Sequence, residues 1–319
     1  MRTRSLVSLV LACLSLASVG CDVDGAALDE DIRLRPGWCT QCGGIYSNAA
    51  IVNGAALSDI NLEGVSTGGI KLRPGNSVYG EFVLDIDPVN DRFVGVVTGA
   101  DELAITGAQF VGAKIVLEMP GGTVIDLEIT HYDEDVQSWS KGGARVTAYR
   151  AQYLGPQGVP TPLCPTTDID NQWFTLIGGE IYGPQGITAA PRSLTIACVG
   201  EAAAKMKLLD FHPAGTRGAT VAQRQATLRM ITADYCGTGQ SFTATGTPVA
   251  WRDADGRVTP PFGEDVMEAL WDEHGAICLD TPRVVARGDV DAVCSLPTCE
   301  GMALTDGATW RTMTPAHDE

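Results

Sequence analysis

The sequence predicts a β-rich α+β protein: a region of β-hairpins first, then a disulfide-stapled α+β domain containing a helical hairpin. Three observations carry this reading. Residues 114–130 alternate apolar and polar side chains on both sides of a Pro-Gly-Gly turn, the period of two half-buried strands. Residues 219–237 repeat apolar side chains at helical spacing. The 10 cysteines and 37 glycines, set against only 19% charged residues, point to staples, turns and short strands.

In chain order, residues 1–20 read as an export signal. Arg2 and Arg4 form its positive region, and the apolar run that follows is too short to span a bilayer. The signal ends Ala17-Ser18-Val19-Gly20-Cys21, which resembles a lipobox, where the cysteine is acylated and becomes the new N-terminus. Ordinary signal cleavage is the rival, because Ser18 and Gly20 are small at the required offsets. Cysteine parity favours acylation. Cys13 leaves with the signal, and a lipidated Cys21 leaves Cys39, Cys42, Cys164, Cys198, Cys236, Cys278, Cys294 and Cys299. That set is even, as disulfides in an oxidising compartment require. The expected partner is therefore a lipid bilayer, and the expected location the cell envelope, facing the periplasm or the surface.

Residues 21–44 read as an acidic tether carrying Cys39-Thr40-Gln41-Cys42. That spacing matches a redox motif, but no strand precedes it, and Gly43-Gly44 stands where the helix should begin. A local disulfide is the better reading. In the β region, residues 45–155, the hairpin should bury Ile115, Leu117, Ile125, Leu127 and Ile129 and leave Lys114, Glu118, Asp126 and Glu128 wet. Further strands are expected over 77–86, 92–98 and 145–153. Residues 155–165 form a proline-rich joint that Cys164 anchors.

The second region, 165–304, should open with strands at 173–177 and 194–198 and a short helix at 201–209. The long helix presents Val221, Leu228, Ile231 and Tyr235 as its apolar face, with Thr220 as cap and Gly237 as stop. Cys236 then closes the helix. A hairpin at 266–271 and 276–279 turns across Asp272-Glu273-His274-Gly275, and the polar tail 305–319 is expected to fray.

Charge narrows the function. The formal net charge is −17, and loss of residues 1–20 with their two arginines takes it to −19 (−17 − 2). Such a surface excludes nucleic acid as a partner. No cofactor or metal is expected. Asp253-Ala254-Asp255-Gly256 begins like a calcium loop, but Arg257 and Val258 stand where an oxygen ligand and glycine are needed. Asp85, Asp87, Asn90 and Asp91 miss the same pattern, and both stretches read as hairpin turns. Cys236 with His212 or His274 would supply a thiol and a base for nucleophilic catalysis. Against that, the C-terminal end of a helix raises a thiol pKa, and an exported chain favours a disulfide. The leading expectation is a non-enzymatic surface or periplasmic binding or structural module with an unknown ligand. The alternative is a cysteine-dependent hydrolase or transferase built on Cys236 with His212 or His274.

One resemblance adds to this. Ala233-Asp234-Tyr235-Cys236-Gly237 is similar to the signature of the ADYC-domain proteins, a bacterial family of exported proteins. Leu194-Thr195-Ile196-Ala197-Cys198, Ala203-Ala204-Lys205, Leu228-Arg229-Met230, Glu268-Ala269-Leu270-Trp271 and Gly275-Ala276-Ile277-Cys278-Leu279 fit its flanking elements in the same order. The resemblance spans roughly the last 150 residues and implies a fold, with no activity attached. Packed as an antiparallel pair, the two helices would set Cys198 beside Cys236. A Cys198–Cys236 disulfide is therefore expected. By elimination Cys164–Cys278, Cys39–Cys42 and Cys294–Cys299 follow.

Overall fold

The computed structural model describes residues 49–315, except 101–102, 166–171, 184, 245–246, 259–264 and 306. The export signal, Cys21, Cys39, Cys42 and the tether lie outside the described residues. The strands are β1 (Ile51–Val52), β2 (Ala55–Ala56), β3 (Ile60–Asn61), β4 (Lys71–Ser77), β5 (Gly80–Asp87), β6 (Arg92–Val97), β7 (Ala104–Thr106), β8 (Lys114–Glu118), β9 (Val124–Val136), β10 (Val146–Leu154), β11 (Pro160–Pro162), β12 (Phe174–Gly183) and β13 (Gly186–Cys198). Helices α1 (Ala202–Leu208) and α2 (Val221–Thr232) follow, then β14 (Ala250–Asp253), β15 (Asp265–Asp272), β16 (Gly275–Leu279), α3 (Arg287–Asp291) and β17 (Trp310–Pro315). The fold is thus β-rich α+β.

The β8–β9 alternation is realised as expected. Ile115, Leu117, Ile125, Leu127 and Ile129 are buried, whereas Lys114 and Asp126 are exposed and Glu118 and Glu128 half-exposed. This pair lies within an 11-stranded sheet of order β3-β13-β12-β10-β9-β8-β4-β5-β6-β7, with β11 attached to β10. Strands on both sides of 155–165 belong to it, so that stretch is a connection inside one sheet. Phe82, Phe93, Phe110, Tyr149 and Phe174 fill the core on its inner face. Strands β12 and β13 are buried on both faces. Phe174, Leu176, Leu194 and Ile196 face that core, and Ile177 and Ala197 face a second one. Their near-continuous apolar runs follow from this double burial.

The second core holds the helices. Helix α1 packs on β12 and β13, while α2 packs on β13 and on a four-stranded sheet of order β14-β17-β15-β16. Covered from two sides, α2 buries Arg224, Ala226, Thr227, Leu228, Arg229, Met230 and Ile231. Val221, expected on the apolar face, is exposed instead. The helix also stops at Thr232, four residues before Cys236.

Two further corrections concern strands. The tail does not simply fray: β17 runs between β14 and β15. Its inward positions are Trp310, Thr312 and Thr314, all buried, and Thr312 Oγ1 accepts a bond from Trp271 Nε1 at 2.8 Å. Threonine used as a core residue makes the segment look polar. Strand β4 was not among the expected strands, and it carries Pro74 and Gly75, residues that ordinarily interrupt a strand. The pairing of β4 with β8 shifts register between Arg73 and Asn76, and a Cβ on Gly75 would stand 2.4 Å from the Phe82 ring. Both residues serve an irregularity within the strand.

Candidate functional site

The signature residues build a joint. Helix α2 ends because Ala233 adopts a left-handed conformation, φ 51°. A conformation that disfavours a Cβ there turns the chain out of the helix at once. Asp234 is buried, and its carboxylate accepts bonds from the backbone N–H of Thr238 and of Gly239, each at 2.9 Å, and from the Arg229 guanidinium. Tyr235 stacks on Trp271 with ring centroids 5.2 Å apart. Its hydroxyl donates to Glu268 Oε1 at 2.5 Å and accepts from the Arg283 N–H at 3.1 Å. Burial, then the Glu268 charge, pushes the Tyr235 phenol far above its ordinary range, so it stays protonated. Arg283 Nε donates to Glu268 Oε1 at 2.7 Å, and Nη2 donates to Glu268 Oε2 at 3.1 Å and to the Met230 carbonyl at 3.0 Å. Burial opposes the Arg283 charge, but Glu268 and Tyr235 outweigh it and hold its pKa above the ordinary value.

Cys236 is disulfide-bonded to Cys294, Cα atoms 5.7 Å apart, and so has no thiolate to offer. Among the described residues the other bonds are Cys164–Cys198 and Cys278–Cys299. The expected pairs Cys198–Cys236, Cys164–Cys278 and Cys294–Cys299 are not formed. The early stop of α2 explains the first correction, since Cys236 lies on a loop beyond the helix, where Ala276 N donates to the Tyr235 carbonyl at 2.9 Å. Cys198 instead ends β13, and Cys164 follows β11 into the same core. Cys278 on β16 meets Cys299, whose N–H donates to Asp280 Oδ1 at 2.8 Å. The three disulfides among the described residues point to an oxidising, non-cytoplasmic compartment. No helix among the described residues is long and apolar enough to cross a membrane.

The two candidate histidines separate. The His274 side chain is 84% exposed in the β15–β16 turn. His212 is buried, with Nδ1 3.0 Å from Asp91 Oδ2. Lys207 Nζ is 3.3 Å from that same oxygen and donates to the Leu176 carbonyl at 2.6 Å. Asp91 Oδ1 accepts the Gly178 N–H at 3.2 Å. Burial works against the Asp91 charge, but Lys207 and His212 outweigh it and hold the carboxyl below its ordinary 3.8. The cluster thus pins the β5–β6 turn to β12 and α1. Asp91 itself was legible only as a turn residue.

A cleft of about 770 Å³ opens elsewhere, where the β1–β2 and β8–β9 turns meet β12. Asn53, Ser58, Asp59 and Thr67 supply polar groups, and Met119, Pro120, Ile181 and Tyr182 an apolar wall. Among the described residues, no group of three or more His, Cys, Asp or Glu is placed to hold a metal ion.

Fold and site define a disulfide-stapled, β-rich domain whose signature loop is buried structure. The ADYC domain family model matches residues 107–285, more than half of the chain, and the protein belongs to that family. No curated protein and no solved structure matches it.

Two outcomes follow. Gly237 has φ 64°, and a Cβ there would stand 1.8 Å from the His274 carbonyl oxygen. Gly237→Ala should therefore cost on the order of 3 kcal/mol or more in denaturant unfolding. Gly256→Ala, with φ 67° and nothing near its Cβ, should cost only about 1–2 kcal/mol. Equal losses would show that the contact at Gly237 carries no weight.

The second concerns pH. Because the folded pKa of Asp91 is depressed, its contribution is present above the ordinary value of 3.8 and is lost as pH falls through the folded value. Asp91→Asn leaves Lys207 buried without its counter-charge and should cost about 3–5 kcal/mol at neutral pH. The gap from wild type should narrow below pH 3.8 in urea titrations across pH. A pH-independent gap would contradict the ion-pair account.

Proposed function

We propose that this protein is an exported, lipid-anchored binding module of the cell envelope with no catalytic role, seating its ligand in the cleft beside Asp59. The cleft is the observation that carries the reading: its volume of about 770 Å³ lies within the size range of small-ligand sites, and its walls combine polar and apolar residues. The signature loop supports it from the other side. Asp234, Tyr235 and Cys236 are committed to a helix exit, a buried network and a disulfide, which leaves them no free reactive group. In this reading α1 and α2 form a helical hairpin that serves as a rigid backing. Acylated Cys21 supplies the anchor, and residues 21–44 hold the domain off the bilayer. A multiply acylated cysteine meets the requirement for more than one chain in stable anchoring.

Anchoring is tested by fractionation. The Cys21→Ala protein should leave the membrane fraction, and mass spectrometry of the wild type should find an acylated N-terminal cysteine. An unmodified N-terminus would end the anchor proposal.

The cleft is tested by native mass spectrometry after incubation with a small-molecule extract of the envelope. Wild type should retain a species that Ala56→Trp, which fills the cleft, does not. Retention by neither protein, or equally by both, would remove the binding reading. Circular dichroism of Ala56→Trp checks that its fold is intact.

A further inference from the structure

Among the described residues, seven carboxylates are buried: Asp59, Asp91, Glu180, Asp210, Asp234, Asp253 and Glu268. Six of them face a cation. Asp91 faces Lys207 and His212, Glu180 faces Arg224, and Asp234 faces Arg229. Asp253 faces Arg217 at 2.6 Å, Glu268 faces Arg283 at 2.7 Å, and Asp210 has Arg257 at 3.9 Å. Asp59 is the exception. It is 8% exposed, and its one bond is from the Gly68 N–H to Oδ2 at 3.3 Å. It also lines the cleft. A buried carboxylate without a counter-charge is costly, and proteins bury acids paired with cations. The fold applies that rule six times and departs from it at the wall of its cleft.

We infer that the cleft binds a ligand bearing an ammonium group, with Asp59 as its counter-charge; this rests on the binding-module reading above. An ammonium brings one positive charge and three hydrogen-bond donors. The cleft is lined by one carboxylate residue together with Asn53, Ser58 and Thr67, and its described lining contains no cation. An anionic ligand would meet only repulsion there. A calcium ion takes six to eight oxygen ligands, commonly from several carboxylates, and this site has one. The apolar wall at Met119, Pro120 and Ile181 suits an aliphatic chain attached to the ammonium. The net charge of −17 draws cations toward the whole surface.

The probe is cadaverine, compared by calorimetry with neutral pentanediol and anionic glutarate on the full mature chain. Cadaverine should bind at least about tenfold tighter than either, and Asp59→Asn should lose at least about tenfold of that affinity. Thr67→Lys, at an exposed lining position, should abolish binding by supplying the cation internally. It keeps the test valid if Asp59→Asn does not fold. Absence of cadaverine binding at millimolar concentration overturns the assignment. So does equal affinity for cadaverine and pentanediol, or binding that survives both substitutions. Pentanediol binding that Ala56→Trp removes, with no preference for the amine, overturns the ammonium and leaves the cleft reading intact. Calcium binding lost in Asp59→Asn, without amine binding, would reassign the carboxylate to a metal.

Discussion

The buried Arg283 guanidinium is the interaction on which the second core depends. It reaches the carbonyls at the end of α2, where the helix dipole favours a positive charge. Glu268 on β15 neutralises it with two hydrogen bonds, and Tyr235 closes the ring by donating to Glu268 and accepting from the Arg283 backbone. Each polar atom in this network has a partner, which is what makes its burial tolerable. Removing one member leaves a charge unpaired in the core, so the group acts as a unit. It satisfies carbonyls at the end that Ala233 gives α2, and it ties the signature loop and β15 to that end.

Covalent bonds extend the same joint. Cys236 and Cys278 lie inside the stretch matched by the family model, while their partners Cys294 and Cys299 lie beyond its end at 285. Strand β17, further along still, lies inside the small sheet, and Trp310 donates to Thr227 on α2 at 2.8 Å. The chain after residue 285 is therefore part of the same core and not an appendage. Trp310 thus completes the packing of a helix that begins 89 positions earlier (310 − 221).

What could be read from the sequence was local. Period-two alternation in Lys114–Glu118 identified a strand and its buried face, because one neighbour on each side decides that pattern. Strand β17 was missed because threonines fill its inward positions, and β4 because Pro74 and Gly75 serve a register shift that only the partner strand reveals. The cysteine pairing failed for a related reason. It required the path of the chain after α2, and a left-handed alanine gives no compositional sign of itself. His212 and Asp91 are far apart in sequence, and nothing local distinguishes Asp91 from other turn acids. Membership of the family was legible, because it rests on ordered short segments.

The family match begins at Gly107, and the cleft straddles that boundary. Met119, Pro120, Thr123, Ile181, Tyr182 and Gly183 come from the matched stretch, whereas Asn53, Ser58, Asp59 and Thr67 come from the segment before it. The apolar wall is thus part of the scaffold that the signature holds together, and the charge is added from outside. Such a division separates two demands that conflict in a single motif. The signature network must be fully satisfied to fold, whereas a binding group must be left partly unsatisfied until its ligand arrives. In the proposed binding role, Asp59 stands just before β3, outside the matched stretch, so the partly unsatisfied group is separate in sequence from the signature network.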